Sequence, residues 1–337
     1  MIVKKKLISI LLSLSMVFML FAGMNITAWA DESETNISSL YNSTSGYYEI
    51  TSSGYYYMDN SVNDNSTITV SQDLAVSIRG QGSTRTFTDV LIDCLGNDSL
   101  TIENLYINNN ANSGSSTTPG GYVATGKNLI EFAGGSNELY VKGTNLLETV
   151  TYVTAAGIHV PYGVSLTIDA AVDDQNGAMY LYKYTQGAGV GGNANEANGT
   201  ITFAGGNIYI KGSKTGPVVG NDLCTASVTV GDVYVTGGNL NLINKAQGAG
   251  IGGSRMSGAG NVYISDGNVT LITDFSASSI GAGTQKKTTA GANGNLYITG
   301  GSVKSMLMDN AWSSWGISNP DTSDIHTVSN TNEQYII

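Results

Sequence analysis

Four stretches of the chain share one pattern of apolar and polar positions. Residues 199–207 read GTITFAGGN, 231–239 GDVYVTGGN, 260–268 GNVYISDGN and 294–302 GNLYITGGS, with starts 32, 29 and 34 residues apart. Each opens with two apolar residues two apart: Ile201/Phe203, Val233/Val235, Val262/Ile264 and Leu296/Ile298. A period of two predicts a strand with those side chains on one face. A glycine corner follows, and then a second alternating pair: Ile208/Ile210, Leu240/Leu242 and Val269/Leu271. A third, glycine-rich element closes most repeats, as in QGAGIGG from Gln247 to Gly253. Upstream the alternation is less regular: Leu100/Ile102 with Leu105/Ile107, Leu139/Val141 before Leu146, and Ile158/Val160 before Val164/Leu166/Ile168. No stretch beyond residue 30 carries a 3.6-residue apolar period.

One such unit of about 30 residues cannot bury its apolar face alone, whereas stacked units bury a continuous column. The predicted fold is therefore all-β, a right-handed parallel β-helix over residues 61–312, with turns stacked at about 4.8 Å. A β-sandwich would need antiparallel hairpins instead. Residues 31–60 are expected to form a linker and an N-terminal cap. Residues 313–337, which follow Trp312 and contain Trp315, are expected to form a C-terminal cap or a truncated tail.

The first thirty residues read as an address. Lys4, Lys5 and Lys6 precede an apolar run from Leu7 to Met24, and Ala28-Trp29-Ala30 is a small-x-small cleavage site. That is the layout of a secretory signal peptide at residues 1–30, with no membrane span expected once it is removed. The expected location is secreted or cell-surface.

Composition narrows the chemistry. Charged residues make up 12% of the 337, about half the usual share of ~25%, and the net charge is −11. Phosphate binding needs a basic surface, so nucleic acid is not an expected partner. Two His and two distant Cys exclude an ordinary zinc site, and neither a metal nor a cofactor is expected. Cys94 and Cys224 stand about four turns apart, too far for a disulfide, and are expected to be buried as small apolar residues.

The GAGIGG-like corners, with G-x-φ-x-φ-x-G-G-N strands between them, resemble those of secreted or surface β-helix proteins of Gram-positive bacteria usually labelled carbohydrate-binding domain proteins. The likeness covers about residues 60–312 and is strongest over 186–302. It implies a non-catalytic protein that binds a polysaccharide or other glycan in adhesion or substrate capture.

Several motifs have plainer readings. Gly187-x-Gly189-x-x-Gly192 and Gly248-x-Gly250-x-x-Gly253 match the dinucleotide fingerprint. No helix pattern follows either, and a steric role at a corner is expected. Asn207, Asn239 and Asn268, with Ser302 at the same offset, are expected to form an inward amide ladder. His159 alternates with Ile158 and Val160, which points it outward to solvent. Asp173-Asp174 reads as a turn. It is also where a rival function, a β-helix polysaccharide lyase or glycoside hydrolase, would have to sit. A structural stalk is a further alternative.

Of 28 aromatics 19 are Tyr, and many stand between two apolar residues, as do Tyr106, Tyr140, Tyr180, Tyr209, Tyr234, Tyr263 and Tyr297. Alternation places such a residue on the outer face. Tyr234, Tyr263 and Tyr297 share one offset, with Thr202 in the first repeat; Asp232, Asn261 and Asn295 lie two positions before them. An outward ring row with a polar rim suits sugars, whose apolar faces stack on rings while their hydroxyls bond the rim. These six residues are the candidate glycan contacts. The plainer reading is that stacked outer tyrosines only stabilise the sheet.

Overall fold

Alternating segments become strands that pair, almost throughout, with the strand one repeat away. The computed structural model describes residues 33–110, 115–117, 123–149, 153–184, 186–212, 215–222, 230–244, 247–255, 257–274, 278–283, 294–308, 326–328 and 334–336. Residues 1–30, Trp312, Trp315 and Cys224 lie outside them.

Two sheets carry the architecture, and both are parallel over nearly their whole extent. The larger contains two adjacent runs. One passes from Gly54–Tyr57 through Ala75–Arg79, Ser99–Glu103, Ser136–Lys142, Ser165–Ala170 and Thr200–Phe203. The other passes from Phe87–Thr88 through Tyr106–Asn109, Thr144–Thr149, Ala178–Tyr182 and Asn207–Lys211. The runs merge in the long strands Val233–Asn244 and Val262–Asp274, then separate again into Asn295–Ile298 and Ser302–Met308. The smaller sheet starts at Tyr41–Asn42, antiparallel to Tyr47–Ile50, and then steps in parallel through Thr67–Val70, Leu91–Cys94, Ile130–Phe132, Ile158–His159, Val190–Gly191, Val219–Asn221 and Ile251–Gly253 to Ile280–Gly281. Parallel pairing reaches back to Thr35–Asn36, which lies in register with Tyr56 and Tyr57 in the larger sheet. Near the other end, His326–Val328 and Gln334–Ile336 pair antiparallel with Ser302–Met308 and Asn295–Ile298.

The inward positions read from alternation are buried: Ile201, Phe203, Val233, Val235, Val262, Ile264, Leu296 and Ile298. They belong to one apolar cluster that runs from Ile37 to Val303 and draws on both sheets. Cys94 is a free thiol inside it, in register with Val70 and Phe132.

The amide ladder is present but on the opposite face. Asn239 Nδ2 donates to Asn207 Oδ1 and Asn268 Nδ2 to Asn239 Oδ1, both at 2.9 Å, while Asn239, Asn268 and Ser302 are exposed. The corner glycines before them shift the alternation, so these amides point to solvent. Buried polar residues include the far ends of the second run, where Asn109 neighbours Thr149 and Asn244 neighbours Thr273.

Both fingerprint-like glycine groups occupy corners, as expected. A side-chain carbon at Gly189 would meet the Val218 carbonyl oxygen at 2.6 Å, and one at Gly250 the Ser279 carbonyl oxygen at 2.5 Å. Backbone of the next repeat fills the space a side chain would need.

Candidate functional site

The outer face of the larger sheet holds the candidate residues in rows. Thr202, Tyr234, Tyr263 and Tyr297 are register neighbours on successive strands. The three rings stack with centroids 4.8 Å apart and planes 6° and 9° from parallel. That spacing is the strand repeat, so the sheet itself sets the stack. Tyr263 is consequently covered on both faces by its neighbours. At its centre the row offers solvent ring edges and hydroxyls; only Tyr234 and Tyr297 keep one face outside the ring stack. Partial burial, followed by the charge of Asp232, raises the Tyr234 and Tyr263 hydroxyl pKa values and keeps both protonated.

The rim residues also serve the sheet. Asp232 Oδ1 accepts from the Asn261 backbone N–H at 2.9 Å and from Asn261 Nδ2 at 3.1 Å, and Asn261 Oδ1 accepts from the Asn295 N–H at 3.0 Å. Each side chain fastens the start of the following strand, which fixes the six candidates as one surface.

A second aromatic group lies on the same face. Tyr180 and Tyr209 are register neighbours, with ring centroids 5.8 Å apart and planes tilted by 43°. Tyr182 meets Tyr209 edge-on at 6.3 Å, and Lys211 Nζ stands 5.9 Å from the Tyr182 centroid. Glu148 beside them accepts from Tyr184 Oη at 3.1 Å and Asn108 Nδ2 at 3.2 Å. Sequence pattern put Tyr180 and Tyr209 outward but gave no sign of Tyr182 and Lys211 joining them, because the grouping depends on register.

His159 corrects its sequence reading. Alternation gave the right face, since His159 follows Asp93 and Glu131 in one outward column of the smaller sheet. The segment after Val190–Gly191 folds over that column and buries the ring. Nδ1 lies 3.1 Å from Glu131 Oε1 and Nε2 2.7 Å from Glu196 Oε2. Burial works against the charged ring, but hydrogen bonds to Glu131 and Glu196, and then their charges, outweigh it and raise its pKa to about 9. Asn193 completes the group: its N–H donates to Glu196 Oε2 at 3.2 Å and its Oδ1 accepts from Asn128 Nδ2 at 2.8 Å. Nothing local in the sequence links Glu131, His159 and Glu196, which come from three different repeats.

Asp93, next in the column, is pushed up to about 6, chiefly by burial and then by the Glu131 charge. A carboxyl raised in this way costs stability wherever it must ionise in the fold. Asp93→Asn is therefore expected to raise the melting temperature at pH 8 and to leave it nearly unchanged at pH 4, as thermal denaturation at both values would show. An equal shift at both would contradict the assignment.

Asp173 and Asp174 behave as a turn. Asp174 Oδ2 accepts from the Gly143 N–H at 2.8 Å and its Oδ1 from the Asn176 N–H at 3.1 Å, while Asp173 pairs with Lys142 at 2.7 Å. Among the described residues no group of three or more His, Cys, Asp or Glu could hold a metal ion, and no helix is long and apolar enough to cross a membrane. No family model matches the chain, and no curated protein or solved structure is significantly similar to it.

Proposed function

We propose that the chain is a secreted or cell-surface right-handed parallel β-helix that binds carbohydrate along the outer face of its larger sheet. Parallel pairing between strands one repeat apart, around a single apolar cluster, supports the β-helix. Crossovers between parallel strands are right-handed in nearly all proteins, which supports the hand. The family resemblance carried by the GAGIGG corners points to glycans. The observation that carries the function is the alignment of Tyr234, Tyr263 and Tyr297 beside Asp232, Asn261 and Asn295 on one sheet face. Along the stack these tyrosines meet a polysaccharide through hydroxyls that donate and accept, one per strand.

The triple substitution Tyr234→Phe, Tyr263→Phe, Tyr297→Phe keeps the ring stack and removes only the hydroxyls. Affinity electrophoresis in gels containing polysaccharide is expected to show weakened retardation with an unchanged melting temperature. Retardation equal to the parent's would remove these hydroxyls from the binding account.

A second reading, glycoside hydrolysis, is favoured by one observation away from the Asp173-Asp174 turn. Asp93, a carboxyl raised by burial, neighbours Glu131, which is held by the His159 ring. A carboxyl with a raised pKa beside a second carboxyl is the kind of pairing that glycoside hydrolysis uses. Release of reducing ends from a bound polysaccharide, lost in Asp93→Asn, would establish this reading; its absence leaves a binding protein.

A further inference from the structure

Ring faces decide where a sugar can stack. In the Tyr234–Tyr263–Tyr297 row the neighbouring rings take up both faces of Tyr263 and one face each of Tyr234 and Tyr297. At Tyr180 and Tyr209 the 43° tilt prevents mutual cover, and Tyr180 is 38% exposed, among the most exposed large apolar side chains described. Tyr182 braces Tyr209 edge-on from the next outward position. This leaves an open aromatic platform, bounded in register by Leu146 on one side of Tyr180 and by Asn241 beyond Tyr209.

A cation stands at its edge. Lys211 is the register neighbour of Tyr182, and its ammonium lies near that ring while making no salt bridge among the described residues. In a chain of net charge −11, Arg79 pairs with Glu34, Arg85 with Asp64, and Lys142 with Glu103 and Asp173, while exposed Lys304, like Lys211, makes no salt bridge among the described residues. Glu148, on the other side of Tyr182 in register, makes no salt bridge with Lys211; its carboxylate oxygens accept from Tyr184 and Asn108.

We propose that Tyr180, Tyr209 and Lys211 form a subsite for one hexuronate unit of an acidic polysaccharide. The pyranose face stacks on Tyr180 and the uronate carboxylate meets the Lys211 ammonium. An open ring supplies the apolar contact and the unpaired cation selects the charge, as a charge-assisted contact requires. This subsite rests on the carbohydrate-binding reading and adds to it the class of sugar.

The test is isothermal titration of the protein with tetragalacturonate and with the same tetrasaccharide after reduction of its carboxyl groups to alcohols. Lys211→Gln is expected to weaken tetragalacturonate binding about tenfold, equal to about 1.4 kcal/mol, and to leave binding of the reduced sugar unchanged. Tyr180→Ser combined with Tyr209→Ser is expected to abolish binding of both. Should that double variant fail to fold, Lys211→Gln decides alone, because its side chain lies on the outer face and its loss removes only the cation. Unchanged binding in Lys211→Gln, or a parent protein that does not bind tetragalacturonate, would overturn the subsite. Binding of a neutral polysaccharide that weakens in the Tyr234/Tyr263/Tyr297→Phe triple would in that event leave the wider carbohydrate-binding reading standing.

Discussion

His159→Leu is expected to lower the free energy of unfolding at neutral pH by about 3–5 kcal/mol, the usual cost of removing one partner from a buried ion pair. The Glu196 carboxyl is buried beside the ring, and its Oε1 has no hydrogen-bond partner among the described residues. Without the imidazolium it would stay buried with only the Asn193 N–H to satisfy it. The effect depends on pH in a defined direction. The folded His159 pKa of about 9 lies above the ordinary 6.5, so its contribution is full below about 6.5 and is lost as pH rises through 9. The shift corresponds to about 3 kcal/mol. Lys183 acts oppositely over the same range. Burial holds its ammonium down at about 7, so the fold gains from Lys183 as pH rises above 7. The parent's profile sums both effects, whereas the difference between parent and His159→Leu isolates the histidine. Denaturant unfolding at pH 6, 8 and 10 is expected to show that difference shrinking with pH. A difference that stays constant, or grows, would mean that His159 is neutral in the fold.

A methyl group at Gly252 is expected to be comparably damaging. Gly191, Gly220, Gly252 and Gly281 are register neighbours in the smaller sheet. At Gly252 φ is +137°, and an added Cβ would overlap the Gly281 carbonyl oxygen and approach Ala259 Cβ at 2.9 Å. Backbone strain of about 1–3 kcal/mol and overpacking of a similar size both apply, and the obstructing oxygen belongs to a paired strand that cannot yield. Gly46 is the control: its φ of +78° is also left-handed, but nothing lies within 4 Å of its would-be Cβ. Thermal unfolding is expected to show a large loss for Gly252→Ala and a much smaller one for Gly46→Ala. Equal losses would mean that φ alone, not the close approach of the next repeat, selects glycine at these positions.

Period-two alternation was enough to place Ile201 through Ile298 inside and Tyr234, Tyr263 and Tyr297 outside, because a strand has only two faces. Strict offsets between repeats also gave the tyrosine and amide rows, since parallel pairing one repeat apart converts an equal offset into a register neighbour. The sequence did not reveal what covers a face or how a ring is turned. His159 alternates like a surface residue, yet a segment more than 30 residues later buries it. The Tyr263 ring is outward and still covered, because the strand spacing matches a stacking distance. Asn239 was misplaced because the inward reading rested on stacked amides satisfying one another; it stands directly before buried Leu240, which puts it on the outer face.

The account turns on whether the outer face of the larger sheet holds a glycan. The direct measurement is an array of neutral and uronate-containing polysaccharides, probed with the parent protein and with a variant carrying Tyr234, Tyr263 and Tyr297→Phe together with Tyr180 and Tyr209→Ser. The account predicts that the parent binds at least one polysaccharide and that the variant, folded by its circular dichroism, binds none of those. Silence of the parent on every polysaccharide, or equal signals from parent and variant, would contradict it.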